Sequence, residues 1–328
     1  MKKKSLVIAC LLLLSCEGAI KNSDAEVKEP QGAEVEDSTM ASQESTENQE
    51  TETKVELPTE KVDILGYWVG YFEPDKKKIK DFNEMWVDEG FNWNRNNKIN
   101  ISIDRVVGEQ VYGHSVVAGN DRPFEGSIKR IAQGNDTLYQ IKAKEPGDDQ
   151  YDGAFEFSIE NGQLKGTWTA NRNLKIKYRI YELEKKTYQY NPDIMLTHTG
   201  PYVNWTKRID KVETYGEGDE VEEWIYSSYG SATDKIYKVN ASNTLLKKGD
   251  VENMKKGDLT IIRNTIYARH GYSFKFQPLR VFFDQQDWYI PVHTDIKSEF
   301  TDIEKENIKL LMKYEKNAAE YYDSFGRG

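Results

Sequence analysis

Arg269 and His270 stand side by side in a chain of 328 residues, with Tyr267 just before them and Trp288 beyond. A guanidinium stays charged and can grip a carboxylate through two parallel N–H bonds. Aromatic neighbours add flat faces on which rings stack. Tyr267, Arg269, His270 and Trp288 are therefore candidate binding residues for an anionic or sugar-like component. A purely structural reading stands beside it: Arg269 paired with Asp284 or Asp287, locking short helices together. Catalysis by His270 would need a nucleophile or a metal within reach. The four histidines, His114, His198, His270 and His293, lack ligand spacing. No nucleophile elbow, phosphate loop or dinucleotide loop occurs. Accordingly no catalytic residue, metal ligand or cofactor is assigned, and non-catalytic binding ranks ahead of a hydrolase centred on His270.

These residues need helices to hold them. Asp258 suits an N-cap and Gly271 a C′ residue, which predicts a helix over Leu259–His270. Leu259, Ile262, Ile266 and Arg269 fall on one stripe, so Arg269 lies on or beside the core face. A short helix is expected around Leu279–Gln285. Thr301 and Glu304 form a capping box opening a last helix. Its apolar stripe is read as Ile308, Leu311, Met312, Ala319 and Tyr322.

The run Arg263-Asn264-x-Ile266-Tyr267-Ala268-Arg269-His270-Gly271-Tyr272, with Trp288-Tyr289-x-Pro291 after it, closely resembles the YARHG domain. The likeness spans roughly Leu245 to Tyr314, within a domain set at 241–322. It implies a small, mostly α-helical module of exported bacterial proteins and brings no chemistry with it.

Residues 61–185 read as an antiparallel β domain. Strands are expected at Ile64–Phe72, Lys98–Val107, Gln110–Ala118, Pro123–Ala132, Asp136–Lys144, Gly153–Ile159, Gln163–Ala170 and Leu174–Leu183. In the last, Ile176, Tyr178 and Ile180 alternate with Lys175, Lys177 and Arg179. Turns such as Asn161-Gly162 suit tight hairpins. An up-and-down meander follows, and closure into a barrel would remove its edges. The opening Gly66-Tyr67-Trp68 resembles that of lipocalins and other calycin barrels, which implies a small apolar ligand in the mouth. The alternative is an interior plugged by Trp68 and Trp168. The segment Asp81–Asn97 reads as either a lid or an irregular hairpin. Residues 186–240 form a connector in which Glu220–Tyr229 and Lys235–Asn240 are candidate short strands. The fold class is thus α+β, with an antiparallel β barrel followed by the helical domain.

The amino terminus speaks for location. Lys2, Lys3 and Lys4 precede an apolar run, Leu6–Leu14, too short for a spanning helix. Leu13-Leu14-Ser15-Cys16 resembles a bacterial lipobox. That resemblance implies removal of a signal peptide, residues 1–15, and fatty acylation (palmitate) of Cys16. Losing Cys10 with the leader would leave no thiol for a disulfide. Residues 17–60 carry 13 acidic residues against three lysines and no Phe, Tyr or Trp. Such composition cannot offset its ordering entropy, so 16–60 reads as an acidic tether. The whole chain, 45 basic against 55 acidic residues, has no basic stripe for nucleic acid. The expected protein is a lipid-anchored envelope lipoprotein, with the outer membrane the favoured site, facing the periplasm or the surface. Its expected partner is peptidoglycan or an envelope protein.

Overall fold

A computed structural model describes residues 63–318 apart from 81, 88–90, 135 and 217–220. The leader, Cys16, the tether, Ala319 and Tyr322 lie outside the described residues.

Among the described residues twelve strands come first: β1 (Gly66–Pro74), β2 (Met85–Trp86), β3 (Asn92–Trp93), β4 (Asn97–Val107), β5 (Gln110–Val117), β6 (Asn120–Gln133), β7 (Asp136–Lys144), β8 (Gly153–Glu160), β9 (Gln163–Ala170), β10 (Tyr178–Lys186), β11 (Val203–Tyr215) and β12 (Glu222–Ser231). Eight of them close an antiparallel barrel in the order β1-β10-β9-β8-β7-β6-β5-β4. Every connection within the run β4 to β10 joins sequence neighbours, so the meander read from the turns is correct. Asn161 and Gly162 both take positive φ, which the tight β8–β9 turn requires.

Inward residues follow the period of two. Trp68, Phe72, Ile101, Phe155, Trp168 and Leu183 belong to one contiguous buried cluster that fills the barrel. The Trp68 indole donates to the Ile64 carbonyl at 2.9 Å. At one mouth the Trp168 indole donates to the buried Glu145 carboxylate at 3.2 Å. Burial pushes Glu145 up, against the hydrogen bonds it accepts from Trp168, Gly153 and Ser115.

Two strand expectations need correction. β10 starts at Tyr178, and its inner face is Arg179, Tyr181 and Leu183, while Ile180 is exposed. Pairing sets this phase: Tyr181 lies opposite Phe72 and Leu183 opposite Leu164, both inward. Arg179 satisfies its place at the mouth by donating to the carbonyls of Phe72 and Arg95. In the connector, Glu222–Ser231 pairs with Val203–Tyr215, and Asp234–Tyr237 is a 3₁₀ turn rather than a strand. The ribbon has two wet faces beyond its base, which is why no clean alternation marks it.

The Asp81–Asn97 segment holds the β2–β3 hairpin. Phe91 and Trp93 stack on Trp205 of β11, and Val281 joins the same cluster. The hairpin is a strut under the ribbon's base.

Four α-helices follow among the described residues: α1 (Lys248–Val251), α2 (Lys256–Arg269), α3 (Gln277–Asp284) and α4 (Asp302–Glu315). They share a core with Leu259, Ile262, Ile266, Phe283, Tyr289 and Leu311. Helix α2 begins three residues earlier than expected. Asp258 is its third residue, and its carboxylate reaches back to accept from the N–H groups of Lys255 and Thr233. Pro278 in the first turn of α3 sacrifices no hydrogen bond. On α4 the buried stripe is Glu304, Asn307 and Leu311, whereas Met312 is exposed. Asn307 replaces an apolar residue there because its amide bonds Ala241, Thr244 and Leu246 backbone groups.

Barrel and helices meet across the outer face of β4. The Asp284 carboxylate accepts from the Lys98 N–H at 2.8 Å, and the Lys98 ammonium donates to the Gln286 carbonyl at 2.7 Å. Tyr71 donates to the Asp284 carbonyl, and the Ser273 hydroxyl accepts from Gly119 N–H. Burial pulls Lys98 down to about 8, although the nearby Asp284 and Asp287 carboxylates oppose it.

Candidate functional site

The end of α2 is where sequence pointed, and the contacts there are specific. Arg269 continues the Leu259-Ile262-Ile266 stripe and is 3% exposed. Its Nε and Nη2 both donate to the Ile194 carbonyl, at 2.9 and 2.6 Å, and its Nη1 donates to Ser242 Oγ at 3.0 Å. The expected partner was Asp284 or Asp287. Asp284 instead faces Lys98 of the barrel, so Arg269 ties the connector to the helix through neutral oxygens. Burial pulls the guanidinium down to about 10, with the Glu304 carboxylate pulling the other way.

His270 caps α2 and Gly271 follows at φ +68°, the left-handed residue that ends the helix. His270 Nε2 lies 2.8 Å from Glu304 Oε2. Glu304 also accepts from the Thr301 N–H at 3.0 Å and from the Tyr190 hydroxyl at 3.0 Å. The Tyr190 ring stacks on His270 at 4.2 Å between centroids, and Phe300 meets the imidazole edge-on at 5.4 Å. Burial raises the Glu304 carboxyl, yet the hydrogen bonds from His270 and Thr301 outweigh it and leave it below its usual range. Burial and the Glu304 charge push the Tyr190 phenol up. His270 is thus enclosed between a carboxylate and two rings. Among the described residues no group of three or more His, Cys, Asp or Glu could hold a metal.

Beside this cluster opens a cleft of about 400 Å³. The extended segment Tyr188, Gln189, Tyr190 and Asn191 makes one wall, and Arg269 with Trp288 makes the other. Tyr188 is fixed by donating to the Arg269 carbonyl at 3.1 Å, and burial pushes its phenol up to about 12. The Trp288 indole N–H is buried and has no partner among the described residues.

Two of the four predicted residues, Arg269 and Trp288, line this cleft. His270 lies behind Tyr190, and Tyr267 packs edge-on against Tyr272 and Phe300.

Residues 234–316 match the YARHG domain family. The matched span begins at the 3₁₀ turn whose Ile236 enters the helical core, and it contains all four predicted binding residues. No curated protein and no solved structure matches the chain. Thr187–Asn191 and Ile194 precede the matched span, so six of the ten lining residues come from outside it. Sequence reasoning missed them. The alternation Tyr188-x-Tyr190 was the available signal, since an extended strand points both rings the same way.

Proposed function

We propose that this chain is a non-catalytic binding module of the bacterial cell envelope, and that its cleft takes an uncharged, hydroxyl-rich ring compound such as a glycan segment. The cleft lining carries the reading. It combines Trp288 and two tyrosines with the amides of Gln189 and Asn191. Flat aromatic faces beside amide donors and acceptors suit sugar rings. The one charged group in the lining, Arg269, already spends three donors on Ile194 and Ser242. A ligand carboxylate would have to compete with those bonds, so the ligand is neutral where it meets the cleft.

The surroundings of His270 support a non-catalytic role in this reading. It touches Glu304, Tyr190 and Phe300, and its Nε2 is engaged by the Glu304 carboxylate. The barrel is not the favoured ligand site, because its interior is occupied by its own side chains. The envelope location rests on the leader and on Cys16, whose acyl chains would anchor the chain to a membrane, in this reading the outer membrane. The partner is then the envelope polymer peptidoglycan or a glycosylated envelope protein.

Titration calorimetry with soluble peptidoglycan fragments tests the reading. Binding should fall at least about tenfold on Trp288→Ala, a loss in the range of one stacked aromatic anchor. It should also be insensitive to salt, since no ion pair forms. No heat with either fragments or intact polymer would remove the reading.

A further inference from the structure

Arg122, Arg208 and Arg263 meet the carboxylates of Asp152, Asp210 and Glu315 at ion-pair distance. Arg179 at the barrel mouth and Arg280 on α3 meet no carboxylate among the described residues. Yet Arg280 is only 9% exposed, and Arg179 is partly buried. A charge taken out of water ordinarily has a counter-charge beside it. Three contacts bring the pair to one place. Arg179 Nη1 donates to the Arg95 carbonyl at 3.2 Å. The Arg95 guanidinium lies over the Trp93 ring, 5.9 Å from its centroid, and Arg280 lies over the same ring at the same distance. Burial, and after it the charge of Arg280, pull the Arg179 guanidinium down to about 9.

The donors left over are matching edges. Arg179 uses Nη1 alone, on the carbonyls of Phe72 and Arg95. Arg280 also uses Nη1 alone, on the Lys275 carbonyl at 3.3 Å. In both, Nε and Nη2 donate to nothing among the described residues, and Arg280 Nε is a buried atom without a partner. Those two nitrogens form an edge with which a guanidinium grips an oxyanion through two parallel bonds. Aromatic rings hold the planes in place: Arg179 lies 4.9 Å from the Phe72 centroid, as Arg280 lies over Trp93. Asp284, one turn along α3, acts on Arg280 through its charge. Its carboxylate accepts from the Lys98 N–H and makes no ion pair with Arg280.

We propose that Arg179 and Arg280 together bind a phosphate group at the barrel mouth. Phosphate suits the pair better than carboxylate. Two guanidiniums bring two positive charges, and a phosphate monoester carries about −1.5 to −2 at pH 7 with three strong acceptor oxygens. A carboxylate brings one charge and two oxygens, which a single fork occupies. Arg95 adds a third positive charge nearby. The site shares no residue with the cleft, so it does not depend on what the cleft takes. Because Arg179 belongs to the barrel and Arg280 to α3, the anion would also tie these two parts together.

Titration calorimetry on the full chain in detergent micelles, in chloride buffer at pH 7.5, tests the proposal. Inorganic phosphate should bind saturably with a Kd of about 1 mM or below. Glycerol 3-phosphate in a parallel titration identifies the source. Binding of both marks a site open to esters, and binding of inorganic phosphate alone marks a site for the free ion. Arg179→Lys and Arg280→Lys should each weaken binding at least about tenfold, because an ammonium keeps the charge and loses the fork. Circular dichroism checks that both variants fold. Should a variant unfold, the arginine Nε–H resonances of the wild type decide: two that move with phosphate support the pairing, and one or none overturns it. The proposal also falls if neither phosphate compound binds up to about 10 mM. Lysine variants that bind as the wild type does overturn it too, as does acetate binding as tightly as phosphate.

Discussion

The His270 imidazole and the Glu304 carboxylate, 2.8 Å apart, join the residue just beyond α2 to the first turn of α4. Glu304 caps its own helix with the same oxygen, so one carboxylate closes two helix ends at once. Tyr190 of the connector completes the joint through the other oxygen.

Glu304→Gln should destabilise the protein by about 3 kcal/mol, the scale for breaking a buried pair. The carboxyl is held below its ordinary 4.5 in the folded state. Its contribution is therefore fully present above about pH 4.5 and lost as pH falls through the lower folded value. Urea unfolding across pH 3–7 should show that acid slope in the wild type and a shallower one in the variant.

Asp284 should act in the opposite sense. Burial raises its carboxyl from 3.8 to about 7, against the hydrogen bond from Lys98 and the charges of Arg280 and Lys98. Between those values the folded protein holds a proton that the unfolded chain has released, so this group lowers stability as pH rises through that window. Asp284→Asn keeps an acceptor for the Lys98 N–H and should flatten the pH 4–7 part of the stability curve. Asp284→Ala leaves that donor unpaired and should cost about 1–3 kcal/mol at every pH. Thermal melts at several pH values separate the two variants.

Arg269→Lys should be nearly as damaging as Arg269→Met, at roughly 2–4 kcal/mol, because an ammonium cannot fork onto both Ile194 and Ser242. Hydrogen exchange should show the 188–194 segment opening in both variants. If only the Met variant opens it, the fork is not the reason for arginine.

Gly271→Ala should weaken the cleft as well as the fold. A Cβ there would lie 3.1 Å from the Tyr188 ring and 3.2 Å from the Ile290 carbonyl, at φ +68°. The left-handed backbone alone costs about 1–2 kcal/mol with a side chain. Ligand binding should drop along with the melting temperature, because Tyr188 is a cleft wall.

Apart from the start and phase of β10, the barrel strands were legible because each has one face toward the core, and two-residue turns follow β4, β5, β6 and β8. Ile141 and Ala143 point inward as their alternation requires. Where both faces are wet, as in β11–β12, the period vanished and the pairing was misread. Arg269 on the core stripe was legible too, since Leu259, Ile262 and Ile266 place it there. Its partner was not, because a backbone carbonyl leaves no mark in a sequence. Charge complementarity pointed to Asp284, and Asp284 belongs to the barrel interface.

The sequence by itself determined the local units: the meander, the helix stop at Gly271, the helix start at Thr301, and the YARHG pentapeptide. These depend on period, capping and backbone φ, which neighbouring residues dictate. Tertiary structure alone decided that Tyr188–Asn191 folds back to form one wall of a cleft and that His270 is enclosed. Those outcomes rest on contacts between residues some 80 positions apart, such as Tyr188 with Arg269, whose geometry exists only once the chain has packed.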